Sequence, residues 1–547
     1  MIHISKVSIE NFKCFEGNFT LSLNKGLNIF VGDNEVGKST ILEAINLALS
    51  GWIYGKYLGS ELTQALFNTY SVAEYIESLT TSSPLSPPAL VIELFFEIED
   101  DSIKALFEGT GNTTNASACG IQFRIAFDER YKAEYETLMS SSEKPKSLPI
   151  EFYEYSWSSF ARDDRITPKT IPIKSSFIDS SSTRSQSGSD VYISRIIRDL
   201  LTDEQKAKVS QAHRNLKDAF AAHDSVLEIN KELSQKEISD KDVKLSVDIS
   251  TKSAWETSLT TYLDDIPFSN IGRGEQSMIK TKLAMSHKKS QEANVILFEE
   301  PENHLSHSKL NNLIKHISSN HLEKQILVST HSSFVANKLG LGNLILLSND
   351  LATDKRSEVR ITNLDEQTKN YFEKLSGFDT LRLVLCKKAI LVEGPSDELI
   401  LQKAYRTLNE DALPIEHEVD IISVGTASLR FLEIAEKLKK LVVVVADNDG
   451  DYANIISKKY KAYENCPTIK ICADKDETLN TLEPQFVDAN KSQLDLLRKV
   501  LNITKENCPT QESISEYMQK HKTDCALLIF DSSEKLLFPQ YILDAIS

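Results

Sequence analysis

Long hydrophobic runs are missing from the sequence. Its longest purely aliphatic stretch, Leu441 to Ala446, is far shorter than the roughly 20 apolar residues that a bilayer-spanning helix requires. The first residues, Met1 to Lys6, lack the layout of a signal peptide. We therefore expect a cytoplasmic protein with no membrane partner.

The cysteines are few, and their spacing matches no paired motif. There are seven, an odd number, and no Cys-x-x-Cys occurs among them. This argues against a disulfide framework and against a cysteine-rich zinc site. We expect reduced and mostly buried thiols at the following positions: Cys14, Cys119, Cys386, Cys466, Cys472, Cys508 and Cys525.

Positive charge is in deficit. The chain has 62 Lys and Arg against 79 Asp and Glu, a net charge of −17, which excludes a protein that coats nucleic acid through bulk positive charge. Any contact with DNA must be local. Part of the acidity is expected to form carboxylate clusters whose natural partner is a divalent cation.

Apolar patterns divide the chain into regions. With 19 Gly and 15 Pro, the composition is that of a folded protein. Its length of 547 residues predicts three or four domains. Short apolar runs alternate with helical patterns before Ser180 and again after Pro267, which predicts an α/β fold. A small parallel sheet is predicted from the last four runs, Ala389 to Val392, Val419 to Ile422, Leu441 to Val445 and Thr468 to Ile471. Between them, Val191 to Ile238 is amphipathic and free of proline. This segment is predicted to be a helical insertion, either packed on the first lobe or serving as a dimerisation arm.

A phosphate-binding loop is predicted at residues 32–39. Gly32-Asp-Asn-Glu-Val-Gly-Lys-Ser39 matches G-x-x-x-x-G-K-[ST] in full, after an apolar run and before a helical pattern. Backbone N–H groups of such a loop wrap phosphates, the lysine reaches the β- and γ-phosphates, and the serine hydroxyl ligates Mg²⁺. The predicted ATP- and Mg²⁺-binding residues are Asn34, Gly37, Lys38, Ser39 and Thr40.

Two carboxylates follow the apolar run Val295 to Phe298. Glu299 and Glu300 would emerge at the end of a strand, where a phosphate-loop protein holds its metal and its attacking water. Glu299 is the predicted acid on the Mg²⁺ side, and Glu300 the predicted general base. Taken alone, such an acidic turn is more often a solvated loop.

Two further elements complete an ATPase pattern. Ile271-Gly-Arg-Gly-Glu-Gln-Ser277 is a glycine-rich turn opening a helical stretch from Met278 to about Lys288. It resembles the signature loop of ABC-type ATPases, which implies that Gly274, Glu275 and Gln276 contact the γ-phosphate on a partner subunit. His331 follows another strand pattern and resembles the switch histidine of that family.

All four elements appear in ABC order, and residues 4–45 resemble the head of the RecF, SMC and OLD ATPases. The resemblance implies that ATP lies between two heads, which requires a dimer.

A second acidic constellation lies near the C-terminus. Glu393 follows the aliphatic run Ala389 to Val392, Asp397 lies four residues later, and Asp447 and Asp449 follow the run from Leu441. Two residues apart in an extended segment, Asp447 and Asp449 are expected to face the same way. Four acids above neighbouring parallel strands suit Mg²⁺ or Mn²⁺.

The alternatives without a catalytic role for Asp447 to Asp451 are a polar turn and an EF-hand-like fragment. The second lacks the loop's final glutamate, because Lys458 stands there. The spacing of the four acids instead resembles the Toprim domain of topoisomerases, primases and OLD-family nucleases. Glu483, in Thr481-Leu-Glu-Pro484, resembles a further metal contact of OLD nucleases, and Lys522 resembles their lysine near the scissile phosphate.

The combination resembles the OLD (overcoming lysogenisation defect) family. It implies an ABC-type (RecF/SMC-like) ATPase head with a helical insertion, followed by a Toprim Rossmann-like domain. The predicted boundaries are 1–175 for the N-terminal lobe of the ATPase, 176–250 for the insertion, 251–378 for the C-terminal lobe and 379–547 for Toprim.

The activity implied by this resemblance is ATP-dependent, divalent-metal-dependent cleavage of DNA. Glu393, Asp397, Asp447, Asp449 and Glu483 would hold two metals, with Lys522 neutralising charge in the transition state. The implied partners are DNA, a second copy of the chain, and a subunit or nucleic-acid element of an anti-phage defence system. A topoisomerase or primase fits less well. The region from about Cys386 has no room for the winged-helix domain that carries a topoisomerase's catalytic tyrosine, and the cysteine spacing does not fit a zinc module. A non-enzymatic alternative is a DNA-sensing ATPase whose Toprim domain is a scaffold for partners.

Overall fold

The computed structural model describes residues 2–53, 56–141, 144–179, 185–186, 189–190, 201–235, 245, 262–286, 292–320, 324–349, 356–361 and 363–547. These residues form two compact units. The first comprises Met1–Phe30, Asn34–Thr330 and Asn349–Ser357, and the second comprises Val31–Asp33, His331–Ser348 and Glu358–Ser547.

The first unit begins with an antiparallel sheet. Alternating apolar residues explain it: in the strand that starts at Phe15, Phe19 and Leu21 point inward and the residues between them are exposed or half-buried. The order is β2-β1-β6-β8-β7, with β9 paired to β8. The elements up to residue 159 are β1 (His3–Phe12), β2 (Phe15–Ser22), β3 (Leu27–Val31), α1 (Lys38–Ser50), β4 (Trp52–Ile53), β5 (Lys56–Tyr57), α2 (Thr69–Ser78), β6 (Leu90–Glu97), α3 (Asp101–Phe107), β7 (Glu108–Gly109), β8 (Ala118–Phe127), α4 (Lys132–Ser140) and β9 (Tyr153–Ser159).

Parallel strands form the second layer of this unit. The remaining elements up to residue 329 are β10 (Ser175–Asp179), β11 (Ser185–Gln186), β12 (Ser189–Asp190), α5 (Asp203–Ala221), α6 (Asp224–Gln235), β13 (Tyr262–Leu263), β14 (Ile266–Pro267), α7 (Arg273–Ser286), β15 (Val295–Glu299), α8 (His307–Asn320) and β16 (Gln325–Ser329). Strands β10, β15, β16 and β3 are neighbours in that order, and all pair in parallel. The mostly apolar sequences of β15, β16 and β3 are typical of strands covered on both faces.

The predicted helical insertion is described in part. Residues 191–200 and 236–238 lie outside the described residues, and helices α5 and α6 occupy the stretch between them. A capping box starts α5: the Thr202 hydroxyl accepts from the Gln205 N–H at 3.2 Å, and the Thr202 N–H donates to the Gln205 side chain at 2.8 Å. No residue of α5 is buried, and Leu216 is 69% exposed. The choice between packing and dimerisation stays a prediction.

The second unit contains a four-stranded parallel sheet, which confirms the sheet predicted from four aliphatic runs. Its order is β20-β19-β21-β22, and every pair is parallel. The elements after residue 330 are α9 (Ser333–Leu339), β17 (Leu344–Asn349), β18 (Arg356–Arg360), α10 (Glu366–Lys374), α11 (Thr380–Leu385), β19 (Lys388–Val392), α12 (Pro395–Leu408), β20 (Val419–Ser423), α13 (Ser428–Leu438), β21 (Leu441–Val445), β22 (Ile469–Cys472), α14 (Leu482–Ala489), α15 (Leu494–Val500), α16 (Gln511–Lys520), α17 (Lys522–Asp531) and α18 (Gln540–Ile546).

One face of this sheet carries the core of the second unit. Ile390 and Val392 of β19, Val443 of β21, Phe486 of α14 and Ile542 of α18 belong to a single buried cluster. All seven cysteines are free, and four of them are buried, as the sequence predicts. Among the described helices, none is both long enough and apolar enough to cross a membrane.

Candidate functional sites

The phosphate loop lies between β3 and α1, as predicted. Gly37 adopts φ +106, and a Cβ there would stand 2.7 Å from Cζ of Phe15. Both the backbone angle and this close packing require glycine. Helix α1 begins at Lys38, which is only 5% exposed. The sequence therefore places a lysine and the N–H groups of a helix start at one point, a geometry suited to phosphate.

The residues around the loop fit their predicted tasks in different degrees. Ser39 and Thr40 are half-buried in the first turn of α1, and the Cys14 thiol contacts the Thr40 hydroxyl at 3.6 Å behind them. Asn34 is exposed on the loop. Arg356 was missed by sequence reasoning: its guanidinium donates to the carbonyl of Glu35 in the loop at 3.2 Å. Nothing in the local sequence links a residue more than 300 positions away to this loop.

Glu299 and Glu300 stand at the same edge of the parallel sheet as the phosphate loop. Glu299 is in register with Ser329 of β16, and Ser329 is in register with Phe30 of β3. Because neighbouring strands are about 4.8 Å apart, β15 and β3 are separated by about 10 Å at this edge. The loop and the two carboxylates therefore lie at one sheet edge, with only β16 between their strands.

Glu300 is held in a defined turn. It has φ 40, its N–H donates to the carbonyl of Ser329 at 3.0 Å, and its carboxylate accepts from Asn303 at 2.6 Å. Glu302 is anchored separately, accepting from the Thr330 hydroxyl at 2.7 Å. The turn thus fixes Glu300 at the sheet edge, where a general base for an attacking water would be needed.

The glycine-rich turn differs in detail from its prediction. Helix α7 starts at Arg273, five residues earlier than expected, so the predicted contact residues form its first turn. Gly274 lies so close to the loop after β15 that a Cβ would overlap the carbonyl oxygen of His304. The Gln276 amide donates to the carbonyls of Phe268 and Ile271 at 2.8 and 3.0 Å.

These bonds show that the Gln276 side chain holds the turn, while Glu275 is exposed. The contact of Gly274, Glu275 and Gln276 with a partner's nucleotide stays a prediction. His331 is likewise exposed, directly after β16, and the neighbouring Ser332 caps α9. His331 belongs to the second unit, so its role as a switch histidine also stays a prediction.

The carboxylates of the second unit gather at a switch point of its sheet. Strand β19 lies between β20 and β21, so the chain leaves β19 to one side and later returns on the other. Such a reversal opens a crevice at the carboxyl ends of the two central strands. Glu393 follows β19 directly, and Asp447 comes two residues after the end of β21. The crevice therefore receives an acid from each side.

Two more acids enter from the starts of helices. The carboxylate of Asp397, in the first turn of α12, accepts from the N–H of Gly394 at 2.9 Å. Glu483, in the first turn of α14, accepts from the Thr481 hydroxyl at 2.9 Å, and its side chain is only 4% exposed. N-terminal turns suit carboxylates, because the helix dipole is positive there.

Lys522 completes this group. It is the first residue of α17, and its ammonium lies 3.4 Å from the second oxygen of Glu483. Half of its side chain is exposed. It is therefore paired with the acids and still able to reach a ligand above them.

Electrostatics indicate that these acids lie close together. The pKa of Asp447 is raised to about 8, first by desolvation and then by the charges of Asp397, Glu393 and Glu483, against the opposing charge of Lys522. Like charges held together disfavour ionisation. The cluster is therefore short of positive charge.

Asp397 and Glu393 show the same imbalance. Desolvation raises the pKa of Asp397 to about 6, although the hydrogen bond from Gly394 opposes the shift. Desolvation also raises the pKa of Glu393, with Lys459 as the strongest opposing charge. Lys459 was missed by sequence reasoning. It follows the π-helical turn Ala453–Lys458, and its ammonium lies 5.0 Å from the ring centre of Tyr460.

The prediction that Asp447 and Asp449 extend in the same direction is wrong. Asp449 has φ 47 and is exposed, whereas Asp447 is half-buried. The cause is Asn448, which is fully buried and donates to the carbonyls of Asp474 and Asp476 at 3.0 and 2.9 Å. These bonds pull the chain out of the extended conformation, and the segment becomes a turn. Asp449 still lies near enough to Glu393 to raise its pKa.

The donor set fits divalent metal in its chemistry. Within the part of the chain that the structure describes, no three His, Cys, Asp or Glu side chains are placed to hold one ion as they stand. However, Glu393, Asp397, Asp447 and Glu483 surround one crevice, with Asp449 exposed beside it. The pKa values of Glu393, Asp397 and Asp447 are raised, and Lys522 pairs with Glu483. Oxygen donors of this kind are the ligands of Mg²⁺ and Mn²⁺. A bound cation would draw the acids together and remove their repulsion.

Comparisons with known proteins agree with this architecture. A family model described as an AAA ATPase domain matches residues 2–336, and one described as the TOPRIM domain of overcoming lysogenization defect protein-like proteins matches residues 384–449. No curated protein matches the sequence.

Similar solved structures are SMC heads. An Smc head bound to the C-winged helix domain of ScpA is 13% identical, with 66% of this chain and 98% of that chain covered and a TM-score of 0.33. For the Smc head with an extended coiled coil, bound to a ScpA domain derived from Pyrococcus furiosus, identity is 14%, coverage is 69% and 100%, and the TM-score is 0.33. For the SMC head from Thermotoga maritima the values are 11%, 66%, 100% and 0.31.

These TM-scores are too low to support an argument, whereas the first family model covers more than half of the chain. The chain belongs to the AAA ATPase domain family and, with an OLD-like Toprim domain after that ATPase domain, to the ATPase–Toprim proteins of the OLD type.

Proposed function

We propose that the protein is an ATP-binding and ATP-hydrolysing, divalent-metal-dependent DNA endonuclease. The observation that carries the proposal is the group of acids at the switch point of the second sheet, with Lys522 beside them. The phosphate loop in the same chain supports the ATP-dependent half. The domain combination supports both halves.

At the nuclease site, Glu393, Asp397, Asp447, Asp449 and Glu483 would hold the metal. Bound divalent cations would lower the pKa of an attacking water and neutralise charge on the phosphodiester. The half-exposed ammonium of Lys522 donates to a phosphate oxygen and stabilises the charge that develops there. The Thr481 hydroxyl keeps one oxygen of Glu483 occupied, which directs the other toward Lys522.

At the ATP site, the first turn of α1 binds phosphate through its N–H groups and Lys38. Ser39 and Glu299 would hold Mg²⁺. Glu300 accepts a proton from the attacking water, since its turn and the phosphate loop lie at the same sheet edge with only β16 between their strands. Gly274, Glu275, Gln276 and His331 are proposed to complete the site around the γ-phosphate.

The proposed partners are DNA and a second copy of the chain. The exposed first turn of α7 supports a dimer, because a signature loop of this type acts on the nucleotide of another head. A monomeric mass in light scattering at micromolar protein, with and without nucleotide, would rule the dimer out. A role in anti-phage defence, with a further subunit or nucleic-acid element, is proposed from the OLD-like domain combination alone.

The test is DNA cleavage by a matched pair of variants. Supercoiled plasmid is incubated with the full-length protein in Mn²⁺ or Mg²⁺, with and without ATP. Asp447→Asn removes one charge from the cluster and is expected to abolish nicking and linearisation. Asp451→Asn makes the same change in the same loop, at a carboxylate that accepts from Asn454 at 3.1 and 2.7 Å, and should cleave at the parental rate.

Phosphate release from ATP is measured in parallel and is expected to be the same in all three proteins. Equal cleavage by parent and Asp447→Asn would rule out the metal site. Intact ATP hydrolysis without cleavage of any DNA form by the parent would favour the alternative, a DNA-sensing ATPase with a Toprim scaffold.

A further inference from the structure

A cavity of about 480 Å³ lies inside the second unit, away from the carboxylates. The end of α12, the segment between β22 and α14, α14 itself and the segment leading into α18 form its walls. Its volume is in the range of small-molecule sites. Leu408 and Leu537 stand at its rim, 61% and 51% exposed, and extend its apolar wall toward solvent.

The polar groups in this cavity favour a cation. Among the described residues that line it, none is Lys, Arg or His, whereas Asp474 and Asp488 are both acidic. Asp488 is partly offset by an exposed ion pair with Lys491 at 3.3 Å, and such pairs are weak. An anionic ligand would therefore be repelled, and a cationic one would be attracted.

Gln485 supplies an unused hydrogen-bond acceptor. It is 2% exposed, and its amide nitrogen donates to the carbonyl of Leu479 at 2.7 Å. That bond fixes the orientation of the amide, since the opposite orientation would set two oxygens against each other. The amide oxygen is buried and, among the described residues, has no partner. A buried acceptor of this kind destabilises the fold unless a donor reaches it.

The cavity wall is bonded to the metal-binding turn. Leu479 and Asp474, which line the cavity, both offer their carbonyls to the side-chain amide of Asn448, at 3.5 and 3.0 Å. Asn448 sets the turn between Asp447 and Asp449. Most residues of the segment from Asp474 to Leu479 are exposed, so few apolar contacts hold it and its local stability is low.

We propose that this cavity binds a small organic cation, an apolar body bearing an ammonium group, and that its occupation stabilises the turn that presents Asp447 and Asp449. The apolar walls hold the body of the ligand, and Asp474 and Asp488 accept from the ammonium. The binding itself depends only on the cavity. The effect on the turn rests on the proposed function, because it assumes that metal binds there.

Binding is tested with cyclohexylmethylammonium and full-length protein, by calorimetry in the absence of metal and DNA. For a ligand of this size we expect a Kd of about 1 mM. Cyclohexylmethanol should bind more weakly, and cyclohexanecarboxylate should not bind measurably. Equal binding of the ammonium compound and the carboxylate would refute the site. So would the absence of ammonium binding at a ligand concentration of about 20 times the expected Kd.

Two variants locate the binding. Ala489→Leu fills the cavity and should weaken binding of the ammonium compound at least about tenfold. Ala462→Leu makes the same change at an exposed position outside the cavity lining and should leave this binding unchanged. Asp488→Asn should weaken the ammonium and leave the alcohol unchanged, which tests the charge without filling space. Equal ammonium affinity in all three variants and the parent would place the binding elsewhere.

The effect on the turn is tested by reciprocity. If both ligands order the same segment, saturating Mn²⁺ should lower the Kd of the ammonium compound by about fivefold or more. The ammonium compound should lower the Kd of Mn²⁺ by the same factor. Asp447→Asn should remove this coupling and keep metal-free ammonium binding. Ammonium binding that is indifferent to Mn²⁺ would refute the coupling. Coupled binding without DNA cleavage would instead refute the proposed nuclease and leave the cavity site intact.

Discussion

The phosphate loop and the carboxylate cluster both lie at the carboxyl edge of a parallel sheet, yet they are built in opposite ways. The loop uses backbone groups, packed so tightly that Gly37 has no room for a Cβ beside Phe15. The cluster uses buried side chains of like charge, and desolvation followed by the neighbouring charges raises the pKa of Asp447. The first site is complete before its ligand arrives, whereas the second is complete only with a cation.

The largest expected effect is at the loop. Lys38→Ala removes the charge at the start of α1 and should weaken ATP binding at least about 100-fold and abolish hydrolysis. Lys25→Ala removes the same charge from a residue that is 54% exposed and pairs with Glu99, and should bind ATP normally. Binding of a fluorescent ATP analogue measures both. Parental affinity in Lys38→Ala would show that the loop does not use this lysine.

Next in size is the base in the turn after β15. Glu300→Gln should keep ATP binding and slow hydrolysis about 10³-fold, since only the attacking water loses its proton acceptor. Glu302→Gln is the matched control, because Glu302 accepts from Thr330 instead and its loss should affect stability more than turnover. Steady-state phosphate release distinguishes the two. A larger loss of rate in Glu302→Gln would reverse the assignment.

At the carboxylate cluster, Lys522→Ala should reduce DNA cleavage about 100-fold without weakening Mn²⁺ binding. Lys522 opposes the acids, so its loss leaves the metal ligands in place and even increases their negative charge. Lys520→Ala, on an exposed residue that pairs with Glu516, is the control. Metal titration and plasmid cleavage are compared in both. A variant that loses Mn²⁺ binding would assign Lys522 a structural role.

The smallest effect concerns stability without metal. The pKa of Asp447 is raised from 3.8 to about 8, first by desolvation and then by Asp397, Glu393 and Glu483, with Lys522 opposing. Because the folded state holds the proton more tightly, this group's contribution to stability is full below pH 4 and is lost as the pH rises through 8. Asp447→Asn removes that loss.

In EDTA at about pH 8.5, we therefore expect Asp447→Asn to melt about 1–3 °C above the parent. Below about pH 4 the two should melt alike. Added Mn²⁺ should raise the parent's melting temperature and leave that of the variant nearly unchanged. A variant that melts below the parent in EDTA would show that Asp447 is stabilised by its neighbours and not repelled by them.

Sequence was most informative where a site depends on neighbouring residues. The phosphate loop is one contiguous motif between a strand and a helix, so its position could be predicted in full. The parallel sheet of the second unit followed from four aliphatic runs. Pairing β19 with β21 also brought Glu393 and Asp447 to one edge, although they are 54 positions apart.

Contacts between distant segments were not predictable. Asn448 looked like a spacer between two aspartates, and only the fold brings it to carbonyls at residues 474, 476 and 479. Its burial turns Asp449 outward, against the expectation of an extended strand end. Lys459 and Arg356 were missed for the same reason, since each reaches its site from a different element. Strand period and motif spacing carry no information about such cross-links.

The contact of Gly274 with His304 has a mechanical consequence. With no space for a side chain between α7 and the loop after β15, neither can shift unless the other moves with it. The same loop includes Glu300, so a displacement at the base is passed on to the start of α7, where Arg273 and Glu275 face solvent. In a dimer of heads, a change at the nucleotide of one head would thus alter the α7 surface of that head, which faces the nucleotide of the other head.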